Sequence, residues 1–557
     1  MMTGAVLTRP YDSLCGMHRA TCAAMGAAVS LRYKTGEGFR DLSWTAYRRQ
    51  ADAVASALIQ HGIQPGDRVV ILSENRHEWL VADHAVLSCG AVDVPLHAPM
   101  VPRQAAFQVH HSGARAAFVS NQVQAEKLWK VIGELPELRF VISFDPIEAG
   151  PIPVFTWESV LATPIAPELA TREAGITRDD LATIIYTSGT TGDPKGVMLS
   201  HGNILFNTEA NYVIFGLEPD EQHLSWLPYS HVYSRVMDHY MSTWGRYILT
   251  LGGPMDELCA DMAAVQPTMT TCVPRFYEKL WAALEALPDG ERAVELKRRL
   301  GGRMRQCISG GAPLPPHVCQ GFFDCGVPMI EGYGQTECSP CITFNHRGNY
   351  KVGSVGLPLA EVEVRLADDD EILVRSPGLM QGYWKNEQAT KKAVVDGWLH
   401  TGDLGRIDAD QHLFITDRKK DLIITSGGKN IAPAELERIL VRNRFIDQAV
   451  VYGDGRKFVS ALVVPNLERL AKRVEALGLE FSEDQLFISD PALLDFYQTQ
   501  VDEAMEAVSQ PERVKRILLM RRPFQLESDE LTATLKVRRR HIIAKYETHL
   551  AKLYEEK

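Results

Sequence analysis

The strongest constraint on the fold of this chain is a regular alternation of helix and strand patterns near its N-terminus. Ser43 opens a helical pattern that ends at Gly62. An apolar run at 68–72 predicts a buried strand, a second helical pattern follows it, and residues 91–94 predict the next strand. Helices and strands that alternate at this spacing are typical of βαβ units, in which helices cover both faces of a parallel sheet. The sequence therefore predicts an α/β fold for its N-terminal part.

A change of composition near Asp417 marks a second domain. A charged run at 418–421 is followed by a predicted strand at 422–425, a helix at 433–440 and further alternating strands. A chain of 557 residues is also too long for a single hydrophobic core. We therefore expect an α/β domain over residues 1–419 and a small α+β domain over residues 420–557.

The overall composition excludes several classes of protein. The hydrophobic fraction of 45% and the charged fraction of 23% are those of a soluble globular protein. A formal charge of −11 argues against a surface that coats nucleic acid. No apolar run approaches the roughly 20 residues of a membrane span. The ten cysteines lack the spacing of a zinc site, and no secretory segment opens the chain. We expect a cytoplasmic protein, and these observations leave room for peripheral membrane contact.

The segment YTSGTTGDPKG at 186–196 follows an apolar strand pattern and predicts an anion-binding loop. Its glycines allow tight turns and bring backbone N–H groups close to an anion, while hydroxyls and a lysine add donors and positive charge. It is not a Walker loop, in which a Gly-Lys pair is followed by Ser or Thr. The alternative is a solvent-exposed polar turn. The residues that would bind the anion are Thr187, Ser188, Gly189, Thr190, Thr191, Gly192 and Lys195.

A second glycine-containing segment, EGYGQTE at 331–337, combines an aromatic ring, a hydroxyl and a carboxylate. Tyr333, between two glycines, can stack on a purine, and Thr336 can donate to a phosphate oxygen. Glu337 is a hard ligand suited to Mg²⁺, which takes few protein ligands beside the oxygens of a nucleotide. The segment SGGAPL at 309–314 supplies small residues against which a flat base could lie. Taken alone, each segment also fits an ordinary loop.

Three further segments contain candidate functional residues. His231 lies in LPYSHVYSR at 227–235, where the alternative is a purely structural histidine. Asp403 lies in a Gly-Asp turn, and an ionised carboxylate there can accept hydrogen bonds from two ribose hydroxyls. The segment LTATLKVRRR at 531–540 ends in three arginines, which predict a solvated basic helix start.

Together these segments resemble the signature motifs of the adenylate-forming superfamily of acyl- and aryl-CoA synthetases, adenylation domains and beetle luciferase. The resemblance extends from about Thr45 to the C-terminus. It implies a large N-terminal α/β domain of stacked sheets with helices and a small, mobile C-terminal α+β domain, with the hinge near Lys420.

The resemblance also implies a role for each candidate residue. The loop at 187–195 would grip the β- and γ-phosphates of ATP, and His231 would lie where the acyl pocket meets the nucleotide. Asp403 and Arg418 would contact ribose or phosphate, and Gly427 would lie against pantetheine. Lys536 matches the catalytic lysine of the family, although Ala533 stands where the family pattern has proline. The remaining nucleotide-binding residues would be Gly310, Gly311, Ala312, Glu331, Tyr333 and Thr336, with Glu337 as the Mg²⁺ ligand.

The activity implied is the activation of a carboxylic acid by ATP, with Mg²⁺, to acyl-AMP and its transfer to coenzyme A. Segments 186–203, 227–235 and 463–557 resemble the long-chain fatty acid branch, so a medium- to long-chain fatty acid is the expected substrate. One alternative is an acyl-AMP ligase that serves the phosphopantetheine of a carrier protein, but 351–403 lacks an added insertion. The other is a non-catalytic nucleotide-binding protein, which the presence of Lys536 and Glu337 disfavours. The expected partners are small molecules, and nucleic acid is not among them.

Overall fold

The computed structural model of the chain describes residues 7–187, 194–218, 220–426, 429–478, 485–525, 528–531 and 537–555. The chain forms two compact units. The first consists of Met1–Val364 and Val374–His400, and the second of Arg365–Leu373 and Thr401–Lys557. The second unit thus includes residues that precede Lys420, and the predicted division between 419 and 420 stays a prediction.

Helices of the first unit are α1 (Leu14–Met25), α2 (Trp44–Gln60), α3 (His77–Ser88), α4 (Pro102–Ser112), α5 (Gln122–Trp129), α6 (Trp157–Leu161), α7 (Leu169–Ala174), α8 (His201–Phe215), α9 (Val232–Ser234), α10 (Met241–Gly245), α11 (Leu258–Val265), α12 (Pro274–Ala282), α13 (Asp289–Arg299), α14 (Pro316–Asp324) and α15 (Glu387–Ala393). Those of the second are α16 (Pro433–Leu440), α17 (Leu467–Leu477), α18 (Pro491–Ala504) and α19 (Arg539–Ala551).

The strands, in chain order, are β1 (Val29–Thr35), β2 (Gly38–Ser43), β3 (Arg68–Ser73), β4 (Val92–His97), β5 (Ala114–Val119), β6 (Phe140–Ser143), β7 (Val154–Thr156), β8 (Leu181–Thr187), β9 (Lys195–Ser200), β10 (Gln222–Ser225), β11 (Ile248–Leu251), β12 (Met269–Cys272), β13 (Gln306–Ser309), β14 (Met329–Gly334), β15 (Cys341–Phe344), β16 (Leu357–Pro358), β17 (Glu363–Leu366), β18 (Glu371–Arg375), β19 (Gly382–Tyr383), β20 (Val394–Val395), β21 (Trp398–Ile407), β22 (Leu413–Arg418), β23 (Ile423–Ile424), β24 (Asn430–Ile431), β25 (Ile446–Tyr452), β26 (Val459–Pro465), β27 (Phe487–Ile488) and β28 (Val514–Met520).

An eight-stranded sheet of the first unit has the order β19-β9-β8-β4-β3-β5-β6-β7. Strands β3 and β4 pair in parallel and are connected by α3, so the predicted βαβ unit is confirmed. The predicted start of α2 is also confirmed, because the side chain of Ser43 accepts a hydrogen bond from the N–H of Ala46. Beyond the parallel strands, at the end of the sheet formed by β19, strand β8 pairs with β9 and β9 pairs with β19, both in antiparallel orientation.

A nine-stranded sheet of the same unit has the order β16-β15-β14-β13-β12-β10-β11-β1-β2. Strands β10 to β14 pair in parallel along this order, so their carboxyl ends lie at one edge of the sheet. One hydrophobic core contains Leu31 of β1 and Leu249 of β11 together with Ile71 of β3 and Trp79 of α3. Side chains from both sheets are therefore buried in the same core, as expected for stacked sheets with helices.

The second unit contains a sheet of order β25-β26-β28-β27 and several smaller pairings. Its core includes Leu436 of α16, Val463 of β26 and Tyr497 of α18. The helix predicted at 433–440 has these bounds in the structure, and the predicted strands that follow it correspond to β25 and β26. The mixture of strands and helices agrees with the predicted α+β class.

A buried ion network lies inside the first unit around Arg235. Its guanidinium contacts Asp83 of α3, lies 2.5 Å from a carboxylate oxygen of Asp93 in β4 and donates to the hydroxyl of Thr183 in β8 at 2.8 Å. The side chain of Arg235 is only 1% exposed. Burial opposes ionisation of Asp83, but Arg235 and His239 hold its pKa well below the usual range, while burial and the charge of Asp83 raise the pKa of Asp93. The network thus places one guanidinium between two buried carboxyl groups whose pKa values shift in opposite directions.

We expect Arg235→Met to lower the free energy of unfolding by about 3–5 kcal/mol, because it leaves a carboxylate buried without its cationic partner. Chemical denaturation followed by circular dichroism measures this loss. The matched control is Arg40→Met, because Arg40 and its partner Glu37 are 61% and 83% exposed and such pairs typically contribute about 0–1 kcal/mol. If both variants lose the same small amount, the network does not stabilise the fold.

Candidate functional site

The predicted phosphate loop connects two antiparallel strands. Thr187, at the end of β8, lies opposite Lys195, at the start of β9. The two ends of the loop are therefore held side by side by the β-ladder. The other predicted loop ligands, Ser188, Gly189, Thr190, Thr191 and Gly192, lie outside the described residues, so their contribution stays a prediction.

The side chain of Tyr383 connects Lys195 to Glu337. Strand β19 places Tyr383 opposite Val197 of β9, and the Nζ atom of Lys195 lies 4.8 Å from the centroid of the Tyr383 ring. The Tyr383 hydroxyl donates a hydrogen bond of 2.8 Å to Oε1 of Glu337. Burial and the charge of Glu337 raise the pKa of Tyr383, so the hydroxyl keeps its proton and remains a donor. The structure thereby brings together the predicted loop lysine and the predicted metal ligand.

The backbone before and after Glu337 is held in place by neighbouring residues. It lies in a 3₁₀ turn, Thr336–Cys338, that follows β14. A side chain on Gly334 would place its Cβ atom 1.9 Å from the carbonyl oxygen of Pro340, so only glycine allows the chain to fold back here. The carbonyl oxygen of Glu337 accepts a hydrogen bond from the N–H of Met380 at 2.9 Å. These contacts hold the carboxylate beside β19.

The predicted adenine-side residues follow strand β13 and lie next to β14. The carboxylate of Glu331, which is 5% exposed, accepts a hydrogen bond from the N–H of Leu314 at 3.1 Å. Gly311 has a φ of 84°, a conformation that favours glycine. A Cβ atom on Gly310 would lie 2.7 Å from the hydroxyl oxygen of Tyr233. The turn that contains Gly310, Gly311 and Ala312 is thus held close to Glu331 and to the strand that contains Tyr333.

His231 precedes the short helix α9 and is accompanied by a second histidine. Its Nδ1 atom accepts a hydrogen bond of 3.2 Å from the N–H of Tyr233. The neighbouring Ser230 hydroxyl lies 2.6 Å from Nδ1 of His97, at the carboxyl end of β4. Burial lowers the pKa of His97 to about 4, so this ring is neutral at pH 7. The structure therefore adds His97 to the surroundings of the predicted acyl-pocket segment.

Asp403 and Arg418 lie opposite each other in the second unit. They are register partners on β21 and β22, and Nε of Arg418 donates to Oδ1 of Asp403 at 2.9 Å. Arg418 is 58% exposed and Asp403 only 5%. The following residue, Lys419, pairs with Asp369 at 2.5 Å and Glu371 at 3.0 Å. The structure thus brings the two predicted ribose-side residues together within one unit.

Lys420 is connected to the start of α19, where one prediction was wrong. The carbonyl oxygen of Lys420 accepts a hydrogen bond from Arg540. Arg539 is not a solvated charge, because it pairs with Glu437 of α16 at 2.5 Å and the two side chains are only 14% and 16% exposed. The helix begins at Arg539, which places its first turn against an acidic partner from a distant part of the sequence. Gly427 and Lys536 lie outside the described residues, and their roles stay predictions.

Tyr383 contacts the predicted site residues Lys195 and Glu337, and His97 contacts Ser230, which is next to His231. Neither Tyr383 nor His97 was predicted from the sequence. Each contacts a partner from a distant segment, so no spacing within its own segment marks it. The one available signal for His97 was its position shortly after the strand predicted at 91–94, since ligand-binding residues of α/β sheets collect beyond the carboxyl ends of strands. Tyr383 has no comparable signal, because its partner strand β9 lies far from it in the sequence.

The chemistry of these residues fits a magnesium nucleotide. Glu337 can supply one hard oxygen ligand, and Mg²⁺ takes few protein ligands when nucleotide oxygens complete its coordination. A different grouping elsewhere among the described residues, Asp83, His84 and His239, brings one carboxylate and two imidazole groups within 4.8 Å of one another. It contacts Arg235, whose positive charge already neutralises Asp83. The assignment of the metal to Glu337 therefore stays a prediction, and we treat the second grouping as structural.

Comparison with known protein families establishes the class of the chain. The model of the AMP-binding enzyme family matches residues 19–384, and the model of the AMP-binding enzyme C-terminal domain matches residues 420–557. This chain belongs to the AMP-binding enzyme family. The predicted relation to the adenylate-forming superfamily is therefore confirmed.

Individual relatives are long-chain acyl-CoA ligases. The chain is 33% identical to the long-chain-fatty-acid–CoA ligase FadD15 of Mycobacterium bovis, with 92% of each chain covered. It is 29% identical to the peroxisomal long chain acyl-CoA synthetase 7 of Arabidopsis thaliana, covering 97% of this chain and 86% of that protein. The crystal structure of the anthranilate CoA ligase AuaEII has a TM-score of 0.81 at 20% identity, covering 99% of this chain and 100% of that one. That likeness confirms the fold class. None of the helices in the described ranges has the length and apolar character that a membrane crossing requires.

We expect Tyr383→Phe to raise the Mg²⁺ concentration needed for half-maximal activity about tenfold, because residues that orient a metal ligand typically contribute about 10- to 100-fold to affinity. Glu337→Gln, which removes the ligand charge itself, should raise it further. Magnesium titrations of ATP- and acid-dependent pyrophosphate release measure both effects.

The control for this titration is Tyr350→Phe. It also removes one tyrosine hydroxyl, from a residue that is 38% exposed and stacks on Phe323. Its magnesium titration should match the unmodified protein. An unchanged magnesium requirement in both Tyr383→Phe and Glu337→Gln would show that Glu337 is only a loop residue.

Proposed function

We propose that this chain activates a medium- to long-chain fatty acid with ATP to acyl-AMP, releases pyrophosphate, and transfers the acyl group to coenzyme A. The observation that carries the proposal is the group formed by Lys195, Tyr383 and Glu337 at the base of the phosphate-loop hairpin. A cation and a carboxylate metal ligand meet there in a chain of the AMP-binding enzyme family. The fatty acid is inferred from the names of relatives, among them the ligase of Mycobacterium bovis.

The first half-reaction joins two anions. The carboxylate oxygen of the acid attacks the α-phosphate of ATP, and the bond from that phosphorus to the bridging oxygen of pyrophosphate breaks. The transition state gathers negative charge on the phosphorus oxygens, which positioned cations stabilise. Lys195 and the N–H groups of its loop would hold the β- and γ-phosphates, and Lys536 would lie near the bridging oxygens. Glu337 would hold Mg²⁺, which would neutralise phosphate charge when bound.

Other residues would bind and orient the nucleotide. The ring of Tyr333 and the turn at Gly310, Gly311 and Ala312 would lie against adenine, and Thr336 would donate to a phosphate oxygen. Asp403 would accept from the ribose hydroxyls while Arg418 supplies a second contact. Their direct hydrogen bond orients the carboxylate before a nucleotide arrives. Glu331 contributes indirectly, because it accepts the hydrogen bond from the N–H of Leu314 that fixes the turn.

The second half-reaction brings the thiol of coenzyme A to the same carbonyl carbon. The sulfur–carbon bond forms, the bond from the carbonyl carbon to the AMP oxygen breaks, and the thiol proton is lost. We place the hinge for this step at Lys420, where the C-terminal part would rotate, remove Lys536 and present Gly427 to the pantetheine. A glycine at that position would allow close approach of the ligand.

Delivery to the phosphopantetheine of a carrier protein is the second candidate acceptor. Coenzyme A is favoured because residues 351–403 contain no added insertion and because the relatives described above are named as CoA ligases.

A cytoplasmic enzyme that takes long-chain acids would also contact membranes peripherally, since such acids partition out of water. Cosedimentation with phospholipid vesicles tests this contact, and recovery of all protein in the supernatant would contradict it.

We expect coenzyme A and ATP to be consumed in equal amounts, with AMP and acyl-CoA as products, when the protein is supplied with fatty acids. Pyrophosphate release measured over acids from two to twenty carbons, with and without coenzyme A, identifies both acid and acceptor. Accumulation of free acyl-AMP without consumption of coenzyme A, over all acids, would favour the carrier-protein candidate.

We expect Lys536→Ala to slow acyl-AMP formation by about 10² to 10³, equivalent to about 3–4 kcal/mol of transition-state stabilisation. The same variant should convert synthetic acyl-AMP and coenzyme A to thioester at nearly the normal rate. Lys420→Pro should do the reverse, because proline fixes φ at the hinge and blocks the rotation.

The control for both variants is Lys472→Ala. Lys472 is 72% exposed and pairs only with Glu468 of its own helix in the described structure. Both half-reactions should proceed normally in this variant. Equal loss of both half-reactions in Lys536→Ala and in Lys420→Pro would contradict the rotating-domain mechanism.

A further inference from the structure

The residues on either side of the segment 532–536, which contains Lys536, are joined to each other. Leu531 and Val537 form an antiparallel β-bridge. One residue further out, the N–H of Arg538 donates to the carbonyl oxygen of Glu530 at 2.9 Å. The residues that flank the segment are therefore held to each other by two backbone contacts.

The side chain of Glu530 is the acceptor of a dense group of donors at this closure. Arg522 donates from both terminal nitrogens, at 2.7 and 2.8 Å, one to each carboxylate oxygen. Lys545 donates at 2.9 Å, Tyr546 donates through its hydroxyl, and the N–H of Gln525 donates at 2.9 Å. The Glu530 side chain is fully buried.

These contacts make the carboxylate a rigid fixed point. Burial alone would raise the pKa of Glu530, but the donors from Arg522, Tyr546 and Lys545 lower it to about 2. The carboxylate is therefore ionised at every pH at which the enzyme would work. A bidentate arginine also fixes the plane of the carboxylate, which a single lysine would not do.

The donors come from two separate elements of the second unit. Arg522 lies just beyond the end of β28, and Lys545 and Tyr546 lie in α19. Glu530 thus joins the end of a core strand to helix α19, next to the bridge between Leu531 and Val537. Ala533 within the segment does not restrict φ as a proline would, so constraint from its two ends matters more.

We propose that Glu530 is a positioning residue for the adenylation half-reaction, holding both ends of the segment that places Lys536. The proposal rests on the proposed function, in which Lys536 stabilises the charge that develops in the first step. It differs from a purely structural role, because a structural residue would affect both half-reactions alike. Glu530 itself touches no substrate in this account.

The test combines Glu530→Gln with Lys536→Ala in a double-mutant cycle in the full-length protein. Glu530→Gln keeps the size of the side chain and removes its charge. A small displacement of a catalytic group can reduce a rate by up to about 10²-fold, so we expect about a tenfold loss in kcat of acyl-AMP formation, with the KM for ATP nearly unchanged. Thioester formation from synthetic acyl-AMP should stay within about twofold of normal.

The cycle separates action through Lys536 from independent damage. When Lys536 is already alanine, adding Glu530→Gln should cost less than about a further twofold, since the group it positions is gone. If Glu530→Gln lowers adenylation by the same factor in both backgrounds, the proposal is overturned. It is overturned equally if both half-reactions fall together or if adenylation is unaffected.

Two further variants guard against a folding defect. Arg522→Lys leaves the charge of Glu530 paired but removes the bidentate geometry, and it should show a smaller loss confined to the same half-reaction. Glu468→Gln makes the same chemical change at a carboxylate that is 79% exposed, and it should leave both half-reactions and the melting temperature unchanged. A loss in Arg522→Lys that falls on both half-reactions would count against positioning.

Failure of this inference is distinguishable from failure of the proposed function. If the unmodified protein releases no pyrophosphate with any acid, the proposed function is wrong and the inference falls with it. If the unmodified protein is active and Lys536→Ala loses only adenylation, while Glu530→Gln retains it, the function stands and the inference alone is wrong.

Discussion

The candidate site of the first unit depends on the register of three neighbouring strands, β8, β9 and β19. Pairing of β8 with β9 sets Thr187 opposite Lys195, and pairing of β19 with β9 sets Tyr383 beside that lysine. Because side chains alternate between the faces of a sheet, a slip of one residue in β19 would turn Tyr383 away from Lys195 and from Glu337. The site is therefore positioned by a backbone ladder.

Arginine–carboxylate pairs hold the elements next to two of the predicted site segments. Arg235 with Asp83 joins α3 to the segment that follows His231, and the pair of Arg522 with Glu530 adjoins the bridge between Leu531 and Val537. A buried pair of this kind adds little net stability compared with apolar packing, yet removing one partner is costly. Such pairs are therefore better understood as devices that select one arrangement of the backbone, which is what a site that must orient two anionic reactants requires.

Local segments predicted the candidate site residues, and the contacts that they did not predict have a common cause. Glycine-containing loops, an acceptor carboxylate and a matching lysine are recognisable within a few residues, because each carries its chemistry in its own backbone and side chains. Tyr383, His97 and the buried pairing of Arg539 with Glu437 are long-range contacts. A run of arginines is usually solvated, and nothing within 538–540 indicates that one of them meets a buried carboxylate from a different helix.

The sequence by itself determined the α/β class, the bounds of α16, the start of β3, and the family to which the chain belongs. These follow from periodicity, capping residues and short motifs, all of which act over a few residues. Only the tertiary structure decided that Tyr383 joins Lys195 to Glu337 and that Glu530 collects donors from Arg522, Lys545 and Tyr546. The physical reason is that these contacts depend on sheet register and helix docking, which are set by packing of the whole core and leave no periodic trace in any one segment.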